Sequence, residues 1–334
     1  MNKTSDARLK RAIESLEGLS MGDAFGEGFF MSFELAARLA QNPDLNMEEY
    51  LKHFRGEEFF VLRELIDIRR IDVLDVPWRW TDDSALAIEV VENLRIHGEI
   101  QPASLAVQFS NRYKAEPNRG YGGAMHSLLP NLTQQNWRTE AAGLFEGQGS
   151  FGNGAAMRAA PIGAYFADDL DLVVENATRS AIVTHSHSEG IAGAVAVALG
   201  AAFLARLREN AESWDGKSFL ELILERLPNS EVKSRIQEAS QLDENLTSEQ
   251  VAEIIGSGYA IAAQDTVPFC LWCVAKALED YDSNFEEAMW QTVAGLGDRD
   301  TTCAIVGGIM GVYVGVEGIP VLWRENREAL PLIK

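Results

Sequence analysis

Two short acidic stretches carry the chemistry that is easiest to name. Thr81-Asp82-Asp83-Ser84 sets two adjacent carboxylates between two hydroxyls. Gly297-Asp298-Arg299-Asp300-Thr301-Thr302 sets two carboxylates two residues apart, again followed by hydroxyls. Such oxygens are hard ligands of the kind Mg²⁺ and Mn²⁺ prefer. Adjacent side chains can reach different ions from one loop, and residues i and i+2 of an extended loop point to the same side. If the two stretches meet, they could clamp two ions and an activated water. Each also has a plainer account, because Thr, Asp and Ser suit a helix N-cap and both stretches precede an apolar-periodic run. Taken singly, the cap is the better reading of either.

Three further stretches bear on binding. Gly149-Ser150-Phe151-Gly152-Asn153-Gly154, followed by Met157-Arg158, could bring backbone amides up to an anion, since glycine allows close approach of the main chain. By itself it reads as a tight turn. Gly120-Tyr121-Gly122-Gly123 is a second such loop, with Tyr121 able to stack or to hydrogen-bond. Thr184-His185-Ser186-His187 holds two of the five histidines, which could bind a metal or a ligand hydroxyl, or be structural. His53, His97 and His126 read as structural. Gly18, Gly22 and Gly26 suit close helix packing, and a buried Asp23 among them would need partners, because an unpaired buried carboxylate is costly.

These groups need rigid elements, and the hydrophobic period supplies helices. Apolar residues recur three or four apart in Ala7 to Ser20, Ser84 to Ile96, Leu170 to Ile182, Glu189 to Leu207, Phe219 to Leu227, Val251 to Ile255, Val267 to Leu278 and Thr302 to Val314. Val312 to Val316 could be a short strand but reads better as a helix end. The expectation is an all-α bundle, one domain over residues 1–334, with its glycine-rich loops converging on one cleft. The charged stretch from Arg208 to Gln250 reads as an exposed helical layer. Phe29 to Trp80 reads as an inserted helical layer or a lid.

Composition narrows the partners. Hydrophobic residues make up 46% of 334, enough for a large core. The net charge is −21, which argues against a nucleic-acid face, since that needs clustered Lys and Arg. It also means that a phosphate-bearing ligand must be attracted by something local, such as metal ions or helix N-termini. Three cysteines make no disulfide framework, and Cys270-Leu-Trp-Cys273 sits in an apolar helical run, where buried helix residues are the expectation. The N-terminal stretch lacks an apolar signal region, and the apolar run Ile191 to Ala205 is shorter than a membrane span. A reducing, cytoplasmic location without a membrane is expected.

In chain order, Gly22-Asp23-Ala24-Phe25-Gly26, Thr81-Asp82-Asp83, Gly120-Tyr121-Gly122, Ser150-Phe151-Gly152-Asn153-Gly154 with Met157-Arg158, Thr184-His185 and Gly297-Asp298-Arg299-Asp300-Thr301 together resemble the ADP-ribosylglycohydrolase family. Each motif is weak alone, but the ordered set is specific and spans residues 18 to about 315. The resemblance implies a compact all-α domain that uses two Mg²⁺ ions, with Mn²⁺ as a substitute, to cleave ADP-ribose from an acceptor. It implies Thr81, Asp82, Asp83, Asp298, Asp300 and Thr301 as metal ligands, and Asp82, Asp83 and Asp300 as the centre of catalysis. It implies Ser150 to Gly154, with Met157, as the cradle of the diphosphate and ribose, Gly120 to Gly122 closing over it, His185 at the distal ribose, and Phe151 and Phe145 as aromatic surface. Many members carry a Glu seven residues after the motif aspartate; here Phe30 stands there, flanked by Glu27 and Glu34. Glu27 is the expected replacement in general acid–base work. The competing expectation is an ADP-ribose-binding protein with weak or lost catalysis.

Overall fold

The N-terminal run is a longer helix than its periodicity suggests. In a computed structural model, which describes residues 3–30, 66, 69, 71, 74, 76–210, 215–280 and 284–331, α1 spans Lys3–Glu27. Then follow α2 (Asp82–His97), α3 (Pro102–Ala115), α4 (Gly123–Leu128), α5 (Trp137–Gly147), α6 (Ala160–Tyr165), α7 (Leu170–Ala181) and α8 (Ser188–Asn210). The chain continues with α9 (Gly216–Arg226), α10 (Glu231–Ala239), α11 (Ser248–Ile255), α12 (Ala263–Asp280), α13 (Phe285–Val293), α14 (Arg299–Val314) and α15 (Val321–Asn326). Among the described residues there is no strand, only isolated bridges between Trp78 and Arg327 and between Gly152 and Ala262. The protein is all-α. Val312 to Val316 is indeed a helix end, closed by Gly315 at φ 70°.

Local sequence sets the ends of these helices. Asp169, Asp215, Ser230, Thr247 and Asn284 each accept a backbone N–H of the following first turn. Gly98 closes α2 in the left-handed region at φ 72°, where glycine carries no Cβ penalty.

Glycine also sets the central contact of the fold. A Cβ added at Gly18, Gly22 or Gly26 of α1 would overlap the carbonyl oxygen of Gly307, Cys303 or Arg299 of α14. The reverse holds at Gly307, whose Cβ would overlap the carbonyl of Gly18. Two helices from opposite ends of the chain thus touch backbone to backbone. α14 begins at the second acidic stretch, and α1 carries Asp23 beside the seam, so this contact fixes the two relative to each other.

α8 is the central core helix. It is 23 residues long and apolar enough to cross a membrane by length and composition, yet 89% of its apolar window is buried against its neighbours. That burial accounts for its Ala- and Gly-rich composition, which lets α6, α7, α12 and α14 pack close. Cys270 and Cys273 lie buried in α12, as expected of helix residues, and Cys303 is buried in α14. The polar segment from Arg208 to Gln250 contains α9 and α10 and the start of α11. Most of the expected layer or lid from Phe29 to Trp80, with Glu34 and His53, lies outside the described residues.

Candidate active site

Asp23 shows how the first acidic stretch is held. It is fully buried on α1 and accepts hydrogen bonds from Thr81 N (3.0 and 2.9 Å), Ser84 N (3.0 Å) and Ser84 Oγ. The first turn of α2 is therefore capped from another helix. Burial pushes Asp23 up to about 6, with those hydrogen bonds pulling the other way. Thr81 is itself the N-cap of α2: its Oγ1 accepts from Asp83 N (3.3 Å) and lies 3.1 Å from Asp83 Oδ2. Capping and display of carboxylates are thus the same structure at this position.

The second stretch meets the first. Asp82, Asp83, Asp298, Asp300 and Thr301 line one cleft of about 400 Å³, within the usual range for a small-molecule site. Asp82 is pushed up to about 8, by burial first and then by Asp23 and Asp298. Burial, then Asp23, Asp82 and Asp298, raises Asp83; burial, then Asp83 and Asp298, raises Asp300. These carboxylates repel one another in a site with little water to screen them. Asp298 is tied to the glycine loop, since Asn153 Nδ2 donates to its Oδ2 (2.7 Å) and to Thr266 Oγ1 (3.1 Å).

The donor set suits hard divalent cations. Asp83 Oδ1 is buried without a hydrogen-bond donor, which is costly unless a cation faces it. Among the described residues no three His, Cys, Asp or Glu side chains close around a point as they stand. Mg²⁺ ordinarily takes one or two carboxylates and fills its shell with water and substrate oxygens, so such an open set fits it.

The glycine loop lines the same cleft. Phe145, Glu146, Gly147 and Gly149 all have positive φ, from 51° to 87°, and turn the chain sharply before Ser150. Ala263 N donates to Phe151 O (2.9 Å) and Asn153 N to Ile261 O (3.2 Å), so the segment after α11 braces the loop. Phe145 (52% exposed), Phe151 (40%) and Ile261 (62%) leave apolar surface at the mouth, with the two rings 6.3 Å apart. Below, Gly152 and Gly154 make room for the His185 ring, which a Cβ at Gly154 would approach to 2.9 Å. Burial, helped by Arg158, brings His185 down to about 3 and keeps the ring neutral. Burial also lowers Arg158, to about 9, against the pull of Asp82.

The structure brings Gly120, Gly122, Ser150, Phe151, Gly152, Asn153, Gly154, Met157 and His185 to the cleft beside the acids. Thr81, Tyr121 and Glu27 do not line it. Tyr121 is buried, its ring edge-on to Tyr113 at 5.0 Å, so it braces the Gly120–Gly122 loop from behind. Glu27 is half-buried, and burial followed by Asp23 pushes it up to about 7, against Arg79 and Arg299. Phe30 is packed under the Arg299 guanidinium, 4.2 Å from ring centroid to Cζ. Sequence reasoning missed Arg158 as a cleft residue, and Ala260 and Ile261 with it. The Gly256-Ser257-Gly258 sequence ahead of them was the available signal.

Comparison with known proteins gives the family and the fold. The family model described as ADP-ribosylglycohydrolase matches residues 4–332. Human ADP-ribosylhydrolase ARH3 is 31% identical over 276 residues, covering 75% of this chain and 74% of the relative. The protein of the same name from Danio rerio is 28% identical over 346 residues, covering 96% and 87%. A solved ADP-ribosylglycohydrolase-related protein complex superposes with a TM-score of 0.60 at 21% identity, over 97% of this chain and 94% of its own, a likeness of fold.

Proposed function

The chain belongs to the ADP-ribosylglycohydrolase family, and from that premise we propose that it hydrolyses the bond between ADP-ribose and an acceptor with two divalent ions, Mg²⁺ or in its place Mn²⁺. The observation that carries this reading is the single cleft that joins the two acidic stretches to the Ser150–Gly154 loop and His185. Thr81, Asp82, Asp83, Asp298, Asp300 and Thr301 would hold the ions. Bound there, they would supply positive charge and a water of lowered pKa. The protein's own groups do the positioning. Asp23 fixes the first turn of α2, Asn153 orients Asp298, and the glycine loop offers main chain to a diphosphate. Carboxylates beside the anomeric carbon would stabilise the oxocarbenium-like charge that develops on bond cleavage. Added Mg²⁺ is expected to raise the melting temperature, by about 3 °C or more at ~100-fold excess over its dissociation constant, because it relieves the repulsion among the acids. No shift on Mg²⁺ addition in thermal denaturation would count against the ligand assignment.

Glu27, behind the cleft lining in the field of Asp23 and Asp298, is the proposed acid/base in place of the family glutamate. Its raised pKa of about 7 suits proton transfer near neutrality. Glu27→Gln is expected to lower kcat by about 10²-fold with little change in KM. Release of ADP-ribose from arginine-, serine- and small-molecule-linked substrates in Mg²⁺, run beside this variant, tests the activity. Turnover of none of them would overturn it. One observation favours a second reading: Phe30, where many members have Glu, is stacked on Arg299 and closes that place to a carboxylate. Tight ADP-ribose binding in calorimetry without turnover would support a binding protein instead. Three buried unpaired thiols support a reducing, cytoplasmic location as part of the same proposal.

A further inference from the structure

His185 stands at the end of a chain of hydrogen bonds that begins at Arg158. The ring is 4% exposed, and a Cβ built at Gly152 or Gly154 would lie 3.3 or 3.1 Å from Nε2, so that edge of the ring faces the glycine loop with no side chain between. The other nitrogen, Nδ1, is 2.7 Å from Thr184 Oγ1. Thr184 Oγ1 is 2.8 Å from Arg158 Nη2. A guanidinium carries donors only. Thr184 Oγ1 therefore accepts from Arg158; among the described residues its one hydroxyl hydrogen has no other acceptor within reach, and we assign it to His185 Nδ1. In a neutral imidazole that accepts at Nδ1, the hydrogen sits on Nε2.

Arg158 is held for this task rather than for an ion pair. It is fully buried, donates to the carbonyls of Gly154 and of Ser180 (3.2 Å), and stacks on Phe109 at 4.7 Å. Among the described residues no carboxylate is hydrogen-bonded to it. Its buried charge also opposes protonation of the ring that Thr184 contacts.

We propose that Arg158 and Thr184 are positioning residues that lock His185 as its Nε2–H tautomer, so that it serves as a fixed donor to a ligand oxygen at the Ser150–Gly154 loop. The lock selects what can lie there: a hydroxyl, ether or phosphate oxygen is matched, whereas an amine or other obligate donor is opposed. The identity of that oxygen as part of ADP-ribose rests on the function proposed above; the tautomer does not.

A long-range ¹H–¹⁵N correlation spectrum of histidine-labelled protein tests this, with His185 assigned from a His185→Gln variant. Near neutral pH the wild type is expected to show an unprotonated Nδ1 and a protonated Nε2. Thr184→Val is expected to give the other tautomer or a mixture, and to weaken ADP-ribose binding about tenfold, the scale of one lost hydrogen bond. Thr184→Ser, which keeps the hydroxyl, is expected to retain the wild-type signature and to bind within about twofold. A protonated Nδ1 in the wild type, or a Thr184→Val spectrum unchanged from it, overturns the lock. The wild-type spectrum decides even if the valine variant does not fold. A wild type with the expected tautomer that binds no ADP-ribose would remove the proposed function and leave the lock standing.

Discussion

Asp300→Ala is expected to lower the rate of ADP-ribose release by about 10³-fold or more while the protein stays folded. Asp300 sits at the start of α14, half-buried, accepting Thr301 N (2.8 Å) and facing the field of Asp83 and Asp298. Among the described residues its side chain makes no hydrogen bond to another helix. Removing it relieves like-charge repulsion in the metal-free protein, so the melting temperature without Mg²⁺ should be equal to or above that of the wild type. The gain on adding Mg²⁺ should shrink in the same variant. Steady-state release assays and paired thermal melts check both halves. Wild-type turnover by Asp300→Ala would sink the proposed centre, and a collapsed melt would show that Asp300 holds the fold instead.

The second large effect falls on stability. Gly22→Ala is expected to destabilise the protein by about 3 kcal/mol, read as a lower urea midpoint. Ala in place of Gly in a helix interior ordinarily gains about 1 kcal/mol. Here the added methyl would meet the Cys303 carbonyl, and α1 and α14 must part to admit it. Backbone cannot swing aside as a flexible side chain can, so the steric effect wins. Gly143→Ala is the internal control. Gly143 lies exposed in α5 with nothing within 4 Å of its Cβ position, so alanine should be neutral or stabilising there. Equal effects at the two sites would show that the seam is not the cause.

Much of the site was legible because its motifs are local. Thr81-Asp82-Asp83 reads from sequence as a cap or as ligands, and the structure shows the cap directly while setting the carboxylates at the cleft. The long helices were legible through their period, but several short ones were not. α3 buries little more than Leu105, Ala106 and Phe109, too narrow a stripe to stand out. α13 did carry a readable start, Asn284 accepting from Glu287 N. What sequence could not supply is contact across distance. Nothing local says that Asp23 will accept from Thr81 and Ser84, 58 and 61 residues on, or that Arg158 will reach Thr184. The left-handed turn at Phe145 and Glu146 was equally hidden, because neither residue type announces a positive φ.

Asp23 has a bearing on the direction in which a ligand can lie. The N-terminus of α2 would ordinarily attract an anion. Asp23 already takes the free amides of Thr81 and Ser84 there, and Asp82 and Asp83 stand in the same turn. α14 likewise begins among its own acids, Asp298 and Asp300. Neither helix end is open to a phosphate. The groups that remain to receive one are the glycine-loop amides and the charge of Arg158. The cleft therefore divides its lining by charge, with acids on the first turns of α2 and α14 and anion-accepting groups on the glycine loop. For the proposed ligand, the diphosphate is expected against glycine and the scissile ribose among the carboxylates.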